Sequence, residues 1–169
     1  MKLISDYYRK QNEQLHQTHK DYGQKGHRHL TVIKQLRDRY KCKTVLDYGC
    51  GGRGLAKNAP FEVVNYDPAI PEYSKLPIPA DMVVCTDVLE HIEPELLDNV
   101  LDHIAGLTNN VAYFMIAIRH DRTKLLPDGT NPHKIVKEPH FWRDQLAKRF
   151  KIVRVTPKRG EVEVICEPL

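Results

Sequence analysis

Long apolar runs are missing from this chain. No segment of its 169 residues approaches the roughly 20 consecutive apolar residues of a membrane-spanning helix, and the opening Met1-Lys2-Leu3-Ile4-Ser5-Asp6 lacks the apolar core of a secretory signal. A soluble cytoplasmic protein with no membrane partner is the expectation. Cysteine is sparse: Cys42, Cys50, Cys85 and Cys166 stand singly, with no Cys-x-x-Cys pair. That argues for structural thiols in a reducing compartment rather than a zinc ribbon or a disulfide scaffold. His16, His19, His27 and His29 crowd one segment at no spacing of a zinc site, and are expected on the surface or in a lid. Internal repeats and low-complexity tracts are absent. Neither sign of charge dominates, 26 Lys+Arg against 22 Asp+Glu leaving a formal +4, which admits an anionic substrate without demanding nucleic acid. A chain of this length can bury a core as a single domain without covalent staples.

What glycine there is clusters at Gly49, Gly51, Gly52 and Gly54. The apolar run Thr44-Val45-Leu46 leads through Asp47-Tyr48 into that cluster, and a second run, Val63-Val64, ends at Asp67. This pattern predicts strand, tight turn, helix start and second strand. Glycines allow positive φ and remove Cβ atoms, so a ligand can approach the backbone. An acid about 20 residues on is placed to bind ribose hydroxyls. Gly49-x-Gly51-x-x-Gly54 also satisfies the dinucleotide pattern, so NAD(P) competes with other adenosine ligands. Asp47 weighs against it: a carboxylate directly before the glycines repels a pyrophosphate, whereas it suits the sulfonium and ammonium of S-adenosylmethionine.

The stretch Val45-Leu46-Asp47-Tyr48-Gly49-Cys50-Gly51 resembles motif I of the class I S-adenosylmethionine-dependent methyltransferases, and Asp67 matches the ribose-binding acid of their motif II. The resemblance implies cofactor contacts from Asp47, Gly49, Gly51, Gly52 and Asp67, with Thr86 and Asp87 on the neighbouring strand exit. One departure is that Arg53 stands where the family usually places its next glycine, which leaves the part played by Gly54 open. Leu76, with Pro77 and Ile78, is read either as an apolar wall for adenine or as plain sheet-edge contact.

Taken in order, residues 4–22 are expected to form a helix covering the ligand site, broken near Gly23 and Gly26. Leu30, Ile33 and Leu36 predict a second helix over about 28–40. Residues 1–40 are thus read as a helical cover and 41–169 as the cofactor-binding core. Four prolines between Pro68 and Pro79 forbid an ordinary helix there, so the helix that the family places between the second strand and Met82-Cys85 is expected to be missing, perhaps with its strand. Pro94 opens a helix with Leu96, Leu97, Val100, Leu101 and Ile104 inward, which Gly106 and Asn109-Asn110 are expected to close. Val111–Ile118 is a central strand. Residues 139–150 read as a helix with Phe141, Trp142, Leu146 and Phe150 inward, and 152–155 with 161–165 as a closing strand pair. The fold class is α/β: a Rossmann-like, doubly wound, mostly parallel sheet with a C-terminal antiparallel strand, shortened after its second strand.

Ligands in such sheets lie beyond the carboxyl ends of the strands. That gathers Thr86-Asp87-Val88-Leu89-Glu90-His91 and the loop 119–138 round the glycine turn. On a helical turn Asp87, Glu90 and His91 share one face, and two carboxylates with an imidazole can hold Mg²⁺ or Mn²⁺. The arrangement resembles the metal motif of the small-RNA 3′-terminal 2′-O-methyltransferases and of some quinone-precursor O-methyltransferases. By that resemblance His133, ahead of Phe141-Trp142, completes the ligand set, with His140 a lesser candidate. The same residues admit other readings: Glu90 and His91 bracing the next helix with no metal, or His91 or His133 as general base. Lys124, Asp128 and His133 are candidates for contacting an acidic or sugar substrate, against a merely solvated loop, and Tyr22, Gly23 and Lys25 for touching the cofactor. Neither an Asp/Asn-Pro-Pro-Tyr nor a Pro-Cys motif of base methylation fits. The resulting expectation is O-methylation of a sugar-, nucleoside- or catechol-like small molecule by a stripped-down enzyme, similar to small phage-borne members of the family. An NAD(P)-dependent oxidoreductase and a non-catalytic adenosyl-binding module are the alternatives.

Overall fold

The computed structural model describes residues 1–19 and 23–169. Among them the strands are β1 (Val45–Tyr48), β2 (Val64–Tyr66), β3 (Ala80–Thr86), β4 (Thr108–Ala117), β5 (Phe150–Lys158) and β6 (Glu161–Pro168). They form one sheet in the order β2-β1-β3-β4-β6-β5. β2, β1, β3 and β4 run parallel, while β6 is antiparallel to both its neighbours. The helices are α1 (Asp6–Thr18), α2 (Leu30–Arg39), α3 (Gly54–Asn58), α4 (Leu97–Leu107) and α5 (Pro139–Ala147). No described helix is long and apolar enough to cross a membrane.

Why β3 and β4 read as unbroken apolar runs is visible in the two layers that flank them. Alternate residues, Val83, Cys85, Ala112, Phe114 and Ile116, face α4 and α5, whose Val100, Leu101, Ile104, Trp142 and Leu146 complete one core. The residues between them, Met82, Val84, Val111, Tyr113 and Met115, face α2 and α3 through Ile33, Leu36 and Leu55 in a second core. A strand covered on both faces has no solvent side on which to place polar residues. On β6 the second face carries Ile165 in that core and, beside it, Glu163. It is buried, accepts from the Tyr113 hydroxyl at 3.0 Å, and is paired with Arg154 and Lys158.

Between β2 and β3 the proline-rich stretch makes only a 3-10 turn at Pro71–Tyr73. Neither the family's helix nor its strand is present there, so β2 becomes an edge with Val64 exposed. Several boundaries differ from the sequence reading. α1 begins at Asp6, where the Ser5 hydroxyl caps the Tyr8 amide at 3.1 Å, and ends at Thr18. A 3-10 turn over Lys25–His29 precedes α2. Gly106 lies inside α4 and Asn109-Asn110 inside β4, because the Thr108 hydroxyl satisfies the Ile104 carbonyl at 2.8 Å and lets helix pass directly into strand. Phe150 opens β5 instead of ending α5.

Candidate functional site

β2 lies on one side of β1 and β3 on the other, so the chain leaving β1 and the chain leaving β3 diverge. Crevices at such switch points take ligands. A cavity of about 400 Å³ opens here. Asp47, Gly49, Gly51, Asp67, Thr86 and Asp87 line its floor; Tyr8, Asn12 and His16 of α1 form its roof.

The floor is a backbone construction. Gly49 and Gly51 take φ of 81° and 48°, in the region that L side chains avoid. The loop so bent lets the Gly49 and Cys50 amides donate to the Tyr66 carbonyl at 2.7 and 3.0 Å. The Gly51 amide donates to Asp67 Oδ2 at 3.0 Å, and the Ala69 amide to Asp67 Oδ1 at 2.9 Å. Gly52 donates to the Gly23 carbonyl at 3.0 Å, and a Cβ on Gly54 would overlap the Gln24 carbonyl. Gly54 is therefore a close-approach glycine: the chain's own residues 23–24 cover the start of α3. Arg53, at the position where a family glycine is usual, takes the left-handed conformation that glycine favours, φ 60°. Its guanidinium lies 5.2 Å from the Tyr73 ring centre.

Charge at the floor is unbalanced. Asp47 is buried and, among the described residues, no hydrogen bond reaches its carboxylate; burial, with Asp67 adding repulsion, pushes its pKa up to about 7. Asp67 is raised by burial too, opposed by the Ala69 amide, by His16 and by the Gly51 amide. Two buried carboxylates side by side form a seat for a cation.

Beyond β3 the expected helical turn does not form. Asp87 adopts φ 56°, held by its amide donating to the Met115 carbonyl at 2.9 Å, and a 3-10 turn follows at Leu89–His91. Asp87 consequently lines the cavity, while the residues whose ligand atoms all lie within 4.8 Å of one another are Glu90, His91 and His133. Glu90 is fully buried. Its Oε1 accepts from the Ala117 amide at 3.0 Å, and its Oε2 has no partner. Burial and the nearby Asp87 hold its carboxyl well above the usual range. His133 donates Nδ1–H to the Arg119 carbonyl at 2.5 Å, and His91 donates to the Pro132 carbonyl; burial, then His133, lowers the His91 pKa to about 3. The two rings meet edge to face with centres 4.7 Å apart. One orphaned carboxylate oxygen and two imidazoles each anchored through a backbone carbonyl fit a divalent cation, since ligating histidines are held this way.

Other sequence candidates disperse. Leu76 is 63% exposed and outside the cavity, because the 3-10 turn carries the chain away before it. Gly52 supports the loop without lining the cavity, and His140 is exposed on α5. Lys124, Gly23 and Lys25 line it. Asp128 instead accepts from Thr130 and from the Tyr7 hydroxyl at 3.1 Å. Tyr22 lies outside the described residues. Sequence reasoning placed His16 only in a surface or lid segment and did not single out Tyr8, Asn12, Arg28 and Glu161 for the site; all five line the cavity. A signal existed for one: Tyr8, Asn12 and Leu15 are spaced i, i+4, i+7 and buried, so Asn12 is a polar residue on the apolar stripe of α1.

Strand order, bent glycine loop and following acid together make this the Rossmann-like fold of class I S-adenosylmethionine-dependent methyltransferases. No protein-family model and no curated protein matches the sequence. Among solved structures, the chain is similar to the 1,6-didemethyltoxoflavin-N1-methyltransferase of Burkholderia thailandensis, bound to its acceptor and S-adenosylhomocysteine, with TM-score 0.60, 18% identity, and 86% of this chain and 79% of that one covered. Magnesium protoporphyrin IX methyltransferase of Synechocystis PCC 6803, also with S-adenosylhomocysteine, gives TM-score 0.57 and 21% identity over 84% and 82%. TehB of Haemophilus influenzae gives 0.59 and 11% over 82% of this chain; the match spans 62% of TehB.

Proposed function

We propose that the chain is an S-adenosylmethionine-dependent methyltransferase acting on an oxygen of a sugar-, nucleoside- or catechol-like small molecule. The observation that carries this reading is the buried Asp47–Asp67 pair at the head of the glycine loop. Both acids are held above their usual pKa by burial, and a ligand bearing positive charge and ribose hydroxyls relieves that penalty. A dinucleotide would need the start of α3 for its pyrophosphate, where Gly23 and Gln24 already sit.

In the proposed reaction the acceptor oxygen attacks the sulfonium methyl in line. The methyl–sulfur bond breaks with its electron pair going to sulfur, and the hydroxyl proton leaves. Asp47 and Asp67 fix the cofactor, so that attack is the only motion left. A divalent cation on Glu90, His91 and His133 would supply Lewis-acid polarisation of the hydroxyl. One oxygen and two nitrogens favour Mn²⁺ over Mg²⁺. With that trio free of cation, His133, anchored through Nδ1, presents Nε2 as proton acceptor, while His91, its pKa lowered by burial, is the weaker base. Of the cover expected over residues 1–40, α1 plays that part, whereas α2 packs into the second core: the Tyr8 hydroxyl donates to the Pro132 carbonyl at 3.2 Å, and Leu126 is buried with Tyr8 and Leu15, tying α1 to the 119–138 loop and excluding water.

Calorimetry with S-adenosylhomocysteine and with NADH tests the cofactor. Binding of the first, its loss in Asp67→Ala, and no heat with the second are expected. Uptake of NADH alone would overturn the reading.

A further inference from the structure

Residues 16–19, 23–29 and 119–138 border the cavity and hold seven Lys+Arg against three Asp+Glu; the rest of the chain is balanced, nineteen against nineteen. The whole formal charge of +4 therefore belongs to the residues beside the opening. Two of the acids there, Asp121 and Asp128, are engaged by neighbouring amides and hydroxyls. Asp121 Oδ1 accepts from the Thr123 amide and hydroxyl and the Lys124 amide at 2.7, 2.8 and 3.2 Å. Asp128 Oδ1 accepts from the Thr130 amide and hydroxyl at 2.9 and 2.8 Å. Across the cavity, Glu161 is paired with Arg28 at 3.2 Å.

Lys25 and Arg119 also line the cavity, and neither makes an ion pair with a described residue. Exposed Arg119 lies over the β5–β6 turn, where Gly160 at φ 76° leaves it room and a Cβ would stand 2.7 Å from its Nε. The floor is acidic and suits a cationic cofactor; the rim, where Lys and Arg outnumber Asp and Glu, is basic. Lys25 faces Asp87 only at a distance, without a direct ion pair, and two cations so placed beside a cavity recognise an anion through charge-assisted hydrogen bonds.

Building on the methyltransferase reading, we infer that the methyl acceptor is an anion, a small molecule whose phosphate or carboxylate is held by Lys25 and Arg119 while its hydroxyl lies toward His91 and His133. The acid floor and the basic rim then sort the two substrates by charge, so that neither occupies the other's end.

Matched pairs test this by calorimetry on protein loaded with S-adenosylhomocysteine: ribose and ribose 5-phosphate, adenosine and its 5′-monophosphate, catechol and 3,4-dihydroxybenzoate. The charged member of at least one pair is expected to bind about tenfold tighter, the preference shrinking as salt rises and disappearing in Lys25→Ala/Arg119→Ala. Lys148→Ala, which removes an exposed cation just after α5, keeps it. Which pair responds separates phosphate from carboxylate. Equal binding within every pair, no binding by any probe, an unaltered double variant, or equal loss in Lys148→Ala would each overturn the inference. Cofactor uptake is read before any acceptor is added. A protein that takes up none fails the methyltransferase reading alone, and the pairs are then run on the cofactor-free protein under the same criteria.

Discussion

At the exit of β2, Asp67 receives one backbone amide on each oxygen and rests against a loop with almost no side chains to move. At the exit of β3, Glu90 receives one amide on Oε1 and nothing on Oε2. Both acids are buried, and burial raises both pKa values, but only one has its burial answered on both oxygens. The difference teaches how the cavity divides its labour. On the β1–β2 side the glycine loop and Asp67 are finished by the backbone and preorganised, with Asp47 left for the ligand; the β3–β4 side depends on a residue, His133, that arrives from a distant loop, and it leaves a donor set open.

The largest effect is expected from breaking the finished side. Gly54→Ala drives a Cβ into the Gln24 backbone, which cannot rotate away, and should cost about 3 kcal/mol in denaturant unfolding while also weakening cofactor binding. Next in size, Asp47→Asn should lower affinity for S-adenosylhomocysteine by about 2 kcal/mol, roughly thirtyfold, as a charged partner of the ligand ammonium is lost. The same variant carries a pH signature. Asp47 is neutral in acid and charged above a pKa of about 7, so cofactor affinity should rise with pH up to that point and level off. Without cofactor the sign is opposite: a carboxyl whose folded pKa is raised keeps its proton where the unfolded chain has lost it, so it contributes stability that falls as pH climbs from about 4 to 7. Asp47→Asn should flatten both slopes, measured by calorimetry and by thermal unfolding.

On the open side, His133→Ala should lose Mn²⁺ binding by about tenfold or more and leave cofactor affinity unchanged; a coupled loss of both would show that the two sides are one unit. The smallest effect belongs to Arg53. Because its φ is 60°, Arg53→Gly should be about 1 kcal/mol more stable than Arg53→Ala, read from unfolding midpoints, and equal stabilities would show that the loop relaxes.

The contrast also explains what was legible. The floor could be read from the chain because its residues are close in sequence and chemically restricted: a left-handed turn asks for glycine, and a strand-end acid follows within one α/β unit. Even the proline-rich gap after Asp67 announced the lost helix. Glu90, His91 and His133 were legible as residue types, yet the helical spacing assigned Asp87 to them, and one positive φ at Asp87 sent its carboxylate elsewhere. Leu76 failed for a similar reason, since an apolar residue beside a strand carries no information about the turn that precedes it. A helix covering the site was expected over residues 4–22, yet Tyr8 and Asn12 were not singled out, because weak local periodicity does not report which residues of a covering helix face the cavity.

By itself the amino-acid order determined the alternation of strands and helices, the bend at Gly49–Gly51 and the acid that follows, because φ preferences and side-chain period act within a few residues. Tertiary structure decided which titratable groups share a cavity: that Gln24 covers Gly54, that His133 reaches Glu90 and His91, and that unpaired cations stand at the rim. Those outcomes depend on burial and on contacts between residues far apart in the chain, which exist only once both layers have closed on the sheet.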